Sequence, residues 1–276
     1  MTSPTNTALS QIVQHEDEDV LDLDRRTVGR TISFLGVDFS PMDPDTLYAR
    51  CVEAGSSMDE FRYLITPNVD HIVRTTSQPE LVEINQHAWV NVNDSRILEL
   101  LGQASGIKIP ACPGSDLTAR LVTHAIDASE PVVVVGGNLG VIEAVKSRFG
   151  LTDIRWHQPP MGLRGNPQAI EEAVRFCIEN RARFYFLCVG NPQDAMVALA
   201  IMRSGQATGL GLCIGASLEF LTGIRKRAPA WMQKARLEWL FRLVSEPKIL
   251  WKRYLVDGPR IFRIWFSWQQ TRKKQV

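Results

Sequence analysis

The chain has 276 residues, of which 45% are hydrophobic and 22% are charged. This length can bury one full α/β core, and the composition is that of a globular protein and excludes disorder throughout the chain. No run of about 18 apolar residues occurs, and the N-terminus lacks the basic start and apolar core of a secretory signal, so we expect neither a membrane span nor export. Five cysteines without CxxC spacing favour a reducing compartment.

Charge is divided unevenly along the chain. From Ile224 to Val276 there are 14 lysines and arginines and three acidic residues, against 17 basic and 27 acidic residues before Ile224. A basic segment of this kind is expected to meet an anionic partner, either a lipid surface or a nucleic acid. The first 30 residues are polar, with acidic residues clustered between Glu16 and Asp24, which favours disorder. We therefore predict an acidic extension at 1–30, a main domain at 31–223 and a C-terminal segment at 224–276.

Short apolar runs alternate with amphipathic helical patterns after the acidic extension. The predicted strands are Thr31–Asp38, Arg62–Thr66, Trp89–Val92, Val132–Val135, Asp153–Trp156, Phe184–Val189 and Gly209–Ile214. This alternation predicts a Rossmann-like α/β fold, a parallel sheet with helices on both faces, whose ligands bind in loops beyond the carboxyl ends of the strands. Asp116 and Asn166 are predicted helix N-caps, the second with Pro167 at the first helical position.

Polar residues follow the second predicted strand. Pro67 disfavours helix at Thr66, so the strand should end there and a helix should start near Asn68. These side chains could line a ligand pocket at the edge of the sheet. They could equally form an N-cap and nothing more.

A carboxylate follows the next predicted strand. Asp94 stands at the end of this strand, with apolar Ile97 and Leu98 just beyond it, so it could be partly desolvated and act as a general base. Asp94 is the leading catalytic candidate. The alternative is that Asp94 or Ser95 only caps the following helix.

Two later strands end in glycine turns that lead into helices. Gly136 and Gly137 follow one strand, and Gly190, Asn191 and Gln193 follow another. Backbone amides in such turns can approach a phosphate, and two turns facing one crevice would suit a nucleoside diphosphate. The pattern is neither GxGxxG nor a Walker loop, so a tight turn selected for close packing is an equal alternative.

The sequence lacks a recognisable metal-site pattern. The DxD-like pairs, Asp17 with Asp19 and Asp22 with Asp24, fall in the acidic extension, and the five histidines show no HxH or HxxxH spacing. We therefore expect neither a metal nor another cofactor.

The C-terminal segment mixes aromatic and basic residues. Five of the seven tryptophans lie there, interleaved with lysines and arginines. Indole rings and basic side chains suit the headgroup region of an anionic membrane. Two alternatives stay open: a basic helical cap whose aromatics fill the core, and a nucleic-acid surface.

Together, these motifs resemble the WecG/TagA/CpsF glycosyltransferases over about 31–254. The resemblance rests on an ordered set of motifs: Thr66-Pro67-Asn68, Asp94, Gly114-Ser115-Asp116, Gly136-Gly137, Gly190 to Asp194, Arg227 to Trp231, Glu238 to Arg242, and Glu246-Pro247. It implies a Rossmann-like fold and metal-independent, inverting transfer from a UDP-sugar to a polyprenyl-diphosphate-linked acceptor. The expected location is the cytoplasmic face of the inner membrane, without nucleic acid as a partner and with a homo-oligomer left open.

The resemblance also assigns site residues. Asp94 matches the proposed general base, and Thr66, Asn68 and Gln193 match pocket residues. The further substrate-binding candidates are Ser95, Arg96, Asp116, Gly136, Gly137, Asn191, Arg227, Arg236 and Arg242.

The chain departs from the family pattern at several positions. Ser95 stands where many members have glycine, Asp194 where glutamate is usual, and Ala111 to Pro113 where an arginine often precedes Gly-Ser-Asp. The form around Asp94 is similar to the exopolysaccharide, GumM-like branch, which implies a β-1,4-glucosyltransferase. The alternatives are an N-acetylmannosaminyltransferase of the same family, a non-catalytic nucleotide-binding adaptor at the membrane, and a nucleic-acid-binding protein.

Overall fold

The computed structural model describes residues 31–235 and 237–275. The predicted acidic extension at 1–30 and the candidate Arg236 therefore lie outside the described residues.

A parallel sheet organises the main domain. Within the described residues, six strands pair in the order β4-β3-β8-β7-β5-β6, and every pairing is parallel. The strands of this sheet are β3 (Arg62–Ile65), β4 (Val90–Asn91), β5 (Val132–Gly136), β6 (Ile154–His157), β7 (Phe184–Cys188) and β8 (Leu210–Cys213). The predicted Rossmann-like fold is thus confirmed.

Helices cover both faces of the sheet. The α-helices of the described residues are α1 (Pro44–Ser57), α2 (Val69–Ser77), α3 (Glu80–His87), α4 (Arg96–Ala104), α5 (Gly114–His124), α6 (Leu139–Phe149), α7 (Pro167–Glu179), α8 (Gln193–Ser204), α9 (Ser217–Thr222), α10 (Ala230–Lys234), α11 (Glu238–Ser245), α12 (Pro247–Trp251) and α13 (Arg260–Gln275). Alternate residues of β5 enter different cores: Val132 and Val134 pack on one face, Val133 and Val135 on the other. Burial on both faces explains why this strand is a continuous valine run.

The first predicted strand is in fact a hairpin. β1 (Ile32–Phe34) and β2 (Val37–Phe39) pair antiparallel and form a separate two-stranded sheet. Leu35 and Gly36 between them have φ of 55° and 82°, the left-handed conformations that a two-residue hairpin turn requires. A leucine in this conformation is uncommon, so its sequence gave no turn signal.

Most predicted helix starts agree with the structure. Asn166 caps α7, as predicted, and α2 starts where expected, with Asn68 as its N-cap. The prediction for Asp116 was wrong, because α5 already begins at Gly114, after Pro113. Asp116 instead lies in the first turn, where a carboxylate favours the positive end of the helix dipole.

The C-terminal segment ends in α13, which packs on the hairpin. Ile261 is 1% exposed, and the rings of Phe34 and Trp268 meet edge to face with centroids 5.1 Å apart. The indole Nε1 of Trp265 donates to Ser105 Oγ at 2.8 Å. These aromatic residues therefore help to build a third core. Over the described residues, no helix combines the length and apolar character needed to cross a membrane.

Candidate active site

The carboxyl ends of the parallel strands bring the predicted loops to one edge of the sheet. The loops after β3 and β4 are neighbours, and so are those after β5 and β7. β8 lies between the two pairs, so β4 and β7 are three strand spacings, or about 14 Å, apart. The edge therefore has a carboxylate side containing Asp94 and a glycine side containing Gly136 and Gly190.

The helix after β4 is capped by Ser95. Its hydroxyl oxygen accepts a hydrogen bond from Leu98 N at 3.3 Å, and its own N–H donates to Asn93 Oδ1 at 2.8 Å. Asp94 N donates to Pro67 O at 2.9 Å, which joins this loop to the loop after β3. Ser95 is thus the residue that caps α4, and the Asp94 carboxylate does not cap this helix.

The Asp94 carboxylate is held at the start of α5. Its Oδ1 accepts from Gly114 N at 3.1 Å. Burial raises the pKa of Asp94 from 3.8 to about 7, against the opposing effects of Arg242 and the Gly114 amide. Oδ2 accepts no hydrogen bond from the described residues. A carboxylate with one anchored oxygen, one available oxygen and a pKa near 7 is suited to general-base catalysis.

Thr66 and Asn68 flank Pro67, whose carbonyl oxygen accepts from Asp94 N. Thr66 is buried, and a Cβ added to Gly114 would lie 3.3 Å from the Thr66 side chain, so glycine allows the close approach of α5. Asn68 Oδ1 accepts from Asp70 N at 3.0 Å and from His71 N at 3.4 Å. His71 Nδ1 accepts in return from Asn68 N at 3.3 Å, completing a capping box.

Two of the candidate arginines of the C-terminal segment reach the carboxylate side. Arg242 acts electrostatically on Asp94, pairs with Glu238 at 2.7 Å and lies over the Phe220 ring at 4.7 Å. Arg227 pairs with Asp116 at 2.6 Å. Both cations are thus positioned near the catalytic candidate by contacts that the sequence did not reveal.

Arg96 has a different setting from the other candidates. It is exposed and pairs with Glu99 at 3.0 Å. Glu99 in turn accepts from Ala111 N at 3.2 Å. Arg96 is therefore linked through Glu99 to the segment that precedes α5.

The glycine side is closely packed. Gly136 has φ of 95°, and a Cβ there would lie 2.7 Å from the carbonyl carbon of Cys188. Gly137 and Gly190 also have positive φ, 71° and 83°. Close packing and a positive φ therefore explain why glycine occupies position 136. Asn138 caps α6, its side-chain oxygen accepting from Val141 N at 3.1 Å.

The turn after β7 contains an unpaired donor. Asn191 Nδ2 is buried and has no hydrogen-bond partner within the described part of the chain. The Gln193 amide satisfies its neighbours when its nitrogen is assigned to the side facing the turn, where it donates to Gly190 O at 3.0 Å and to Asn191 O at 3.2 Å. A buried donor without a protein partner suits an acceptor atom of a ligand.

Sequence reasoning missed two residues at this edge. Asp194 is 3% exposed, and burial raises its pKa to about 6 despite hydrogen bonds from the amides of Ala195 and Gly215. It links the loops after β7 and β8. The second missed residue is Arg253, which contacts Asn68 and Asp70. An aspartate in a first helical turn and one arginine among many gave no distinguishing signal.

The sequence model of the glycosyl transferase WecG/TagA/CpsF family matches residues 32–275. The chain belongs to this family. Membership makes it a glycosyltransferase that acts on lipid-linked sugars, with a nucleotide-sugar donor. The match extends through α13, so it includes the C-terminal segment as well as the sheet.

Within the described residues, no three or more histidine, cysteine, aspartate and glutamate side chains are arranged to hold a metal ion. Metal-independent transfer stays a prediction that requires an assay.

Proposed function

We propose that the enzyme transfers a hexose, glucose in β-1,4 linkage, with inversion from a UDP-sugar to a polyprenyl-diphosphate-linked sugar in exopolysaccharide biosynthesis. The observation that carries the proposal is Asp94, a partly buried carboxylate at the carboxyl end of β4 with an anchored Oδ1, an available Oδ2 and a pKa raised to about 7. Carboxylates with such pKa values are suited to accept a proton near neutral pH.

The proposed reaction is a single displacement. The acceptor hydroxyl gives its proton to Asp94 Oδ2 as its oxygen bonds to the anomeric carbon of the donor. The bond from that carbon to the diphosphate breaks at the same time, and UDP leaves with the electron pair. One attack from the opposite face inverts the anomeric configuration.

The leaving diphosphate needs donors and positive charge. We assign these to Asn191 Nδ2, to backbone N–H groups of the turns at Gly136, Gly137 and Asn191, and to Arg227 and Arg242. Preorganised donors stabilise developing charge without a cost of reorganisation at the moment of reaction. The unpaired Asn191 Nδ2 supports this assignment because it has no other acceptor among the described residues.

We propose that the enzyme binds its lipid-linked acceptor at the cytoplasmic face of the inner membrane. Val244 and Ile249 are 72% and 73% exposed, and Trp251 and Leu255 are more than half exposed. Lys248 and Lys252 lie among them and are also exposed. Apolar side chains mixed with lysines fit an anionic lipid surface.

A donor and acceptor panel tests the proposed function. The full-length protein is incubated with labelled UDP-glucose, UDP-N-acetylmannosamine and UDP-glucuronate against a set of polyprenyl-diphosphate sugars. Transfer of glucose with inversion is the expected result. Transfer from UDP-N-acetylmannosamine alone would instead support the N-acetylmannosaminyl alternative, and nucleotide binding without transfer to any acceptor would support the adaptor.

A further inference from the structure

A short turn of the C-terminal segment docks on the helix that starts at Asn68. Residues Lys252–Asp257 form a π-helical turn that packs against α2. Such turns are rare and are often found at functional sites. This turn brings Arg253 to the N-terminus of α2, next to the carboxylate side of the sheet edge.

Arg253 contacts two side chains at this N-terminus. Its Nη2 donates to Asn68 Oδ1 at 3.5 Å, and its Nε lies 3.7 Å from Asp70 Oδ2. Asp70 also pairs with Arg74 at 3.0 Å, and its side chain is 10% exposed. Asp70 thus lies between two arginines, one from its own helix and one from the C-terminal segment.

The contacts of Asn68 determine which end of its amide is available. Oδ1 accepts from Asp70 N, His71 N and Arg253, so this oxygen is fully used by the protein. Nδ2 donates to no acceptor within the described residues. Asn68 can therefore offer a ligand two N–H donors and no acceptor.

The position of Asn68 indicates what it would bind. The loop after β3 is joined to Asp94 through the bond from Asp94 N to Pro67 O at 2.9 Å. A donor whose diphosphate lies on the glycine side would direct its sugar towards Asp94, where the new bond forms. A hydroxyl oxygen of that sugar would then be an acceptor for the Asn68 N–H groups.

We propose that Arg253 is a positioning residue for donor-sugar recognition: by holding Asn68 Oδ1 and Asp70, it keeps the Asn68 N–H groups directed at the sugar. The inference rests on the proposed function, since it takes a UDP-sugar as the ligand. It makes the docked C-terminal segment a requirement for recognising the sugar, and not only for meeting the membrane.

A double-mutant cycle in the full-length protein tests this role. Asn68→Ser keeps a side-chain oxygen that can cap α2 but removes the amide donors. Arg253→Gln removes the charge, and Arg260→Gln is the matched control because Arg260 pairs with Asp257 at 3.5 Å in the same segment, away from Asn68. Affinities for UDP and UDP-glucose are measured by calorimetry, with kcat and KM in the transfer assay.

Each single variant should weaken the binding of UDP-glucose about tenfold, which is the effect of losing one hydrogen bond to a charged group or one substrate contact. The double variant should be little worse than either single variant because both act on one contact. Affinity for UDP should not change. The proposal would be overturned if the losses of UDP-glucose affinity multiplied in the double variant, or if the affinity for UDP fell equally. It would also be overturned if Arg253→Gln behaved like the Arg260→Gln control.

The contact can also be tested without catalysis. The pKa of His71 is lowered to about 4, mainly by burial, with Arg253 and Arg74 acting in the same direction and Asp70 in the opposite one. The NMR titration midpoint of His71 should therefore rise in Arg253→Gln. A wild-type protein that binds no UDP-sugar would reject the proposed function, whereas an unchanged His71 midpoint would reject the Arg253 contact itself.

Discussion

Asp94 Oδ1 accepts a hydrogen bond from the backbone N–H of Gly114 at 3.1 Å. The two residues come from different loops, and the bond places the carboxylate at the positive end of the α5 dipole. Burial has a larger effect on the pKa of Asp94 than this bond, because the pKa still rises to about 7. The structure thus combines fixed geometry with a proton affinity suited to neutral pH.

Replacing this carboxylate by its amide should abolish most transfer. Asp94→Asn keeps an oxygen that can accept from Gly114 but loses the base, and we expect kcat to fall by about 10²–10⁴-fold with UDP affinity unchanged. Steady-state kinetics and calorimetry give the two values. Asp153→Asn is the control, since Asp153 pairs with Arg155 next to β6. A near-normal kcat in Asp94→Asn would remove Asp94 from the reaction.

The pH–rate profile should report the same group. Because the base must be ionised, kcat/KM should fall as the pH is lowered through about 7 and level off above it. Initial rates between pH 5 and 9, at saturating acceptor, give the profile. A fall in kcat/KM with a midpoint near pH 4, the range of an ordinary exposed carboxylate, would contradict the raised pKa described for Asp94.

Stability should show the opposite dependence on pH. The folded state holds the Asp94 proton more tightly than the unfolded chain, whose carboxyl has a pKa near 3.8, so this group lowers stability as the pH rises from about 4 to 7. Asp94→Asn should therefore unfold at higher denaturant than wild type at pH 8. The difference should vanish near pH 4. Urea unfolding at both pH values measures it, and equal stability at pH 8 would be inconsistent with a buried charge.

Transfer should not depend on a divalent metal. We assign stabilisation of the leaving diphosphate to protein donors and arginines, so EDTA should leave the initial rate unchanged. The measurement is the rate after dialysis against EDTA, with and without added magnesium or manganese. A rate lost on dialysis and restored by manganese would require a metal in the mechanism.

Binding to anionic vesicles should depend on exposed apolar residues of the C-terminal segment. Ile249→Ser combined with Trp251→Ser should weaken binding at least tenfold, because each side chain loses the benefit of leaving water. Leu100→Ser, in the exposed part of α4, is the control. Cosedimentation with phosphatidylglycerol vesicles measures binding, which should also weaken as salt rises. Unchanged binding by the protein that combines Ile249→Ser and Trp251→Ser would exclude this surface.

Point variants are preferable to truncation for this question. Removal of the chain from Ile224 onward would take away Ile261, Trp265 and Trp268, which cover the hairpin core around Phe34. Exposure of such a core costs stability, so lost activity could reflect unfolding instead of lost docking.

Much of the architecture could be predicted from the sequence because its signals are local. Alternating apolar runs gave the six strands of the parallel sheet, and Asn68 and Asn166 gave two helix starts. Because the carboxyl ends of parallel strands share one edge, the same pattern placed Asp94 and the glycine turns on that edge. The family match over residues 32–275 agrees with the resemblance found in these motifs.

Only the tertiary structure decided which of these residues act together. Ser95 caps α4 and leaves Asp94 unused as a cap, a choice between adjacent residues that depends on backbone geometry. The contacts of Asp94 with Gly114, of Arg227 with Asp116 and of Arg253 with Asn68 join positions 20, 111 and 185 residues apart. Contacts between residues so far apart in the sequence depend on how helices pack on the sheet, and packing depends on the whole chain. Residue type and spacing therefore identified the candidate base, while packing determined its proton affinity and its neighbours.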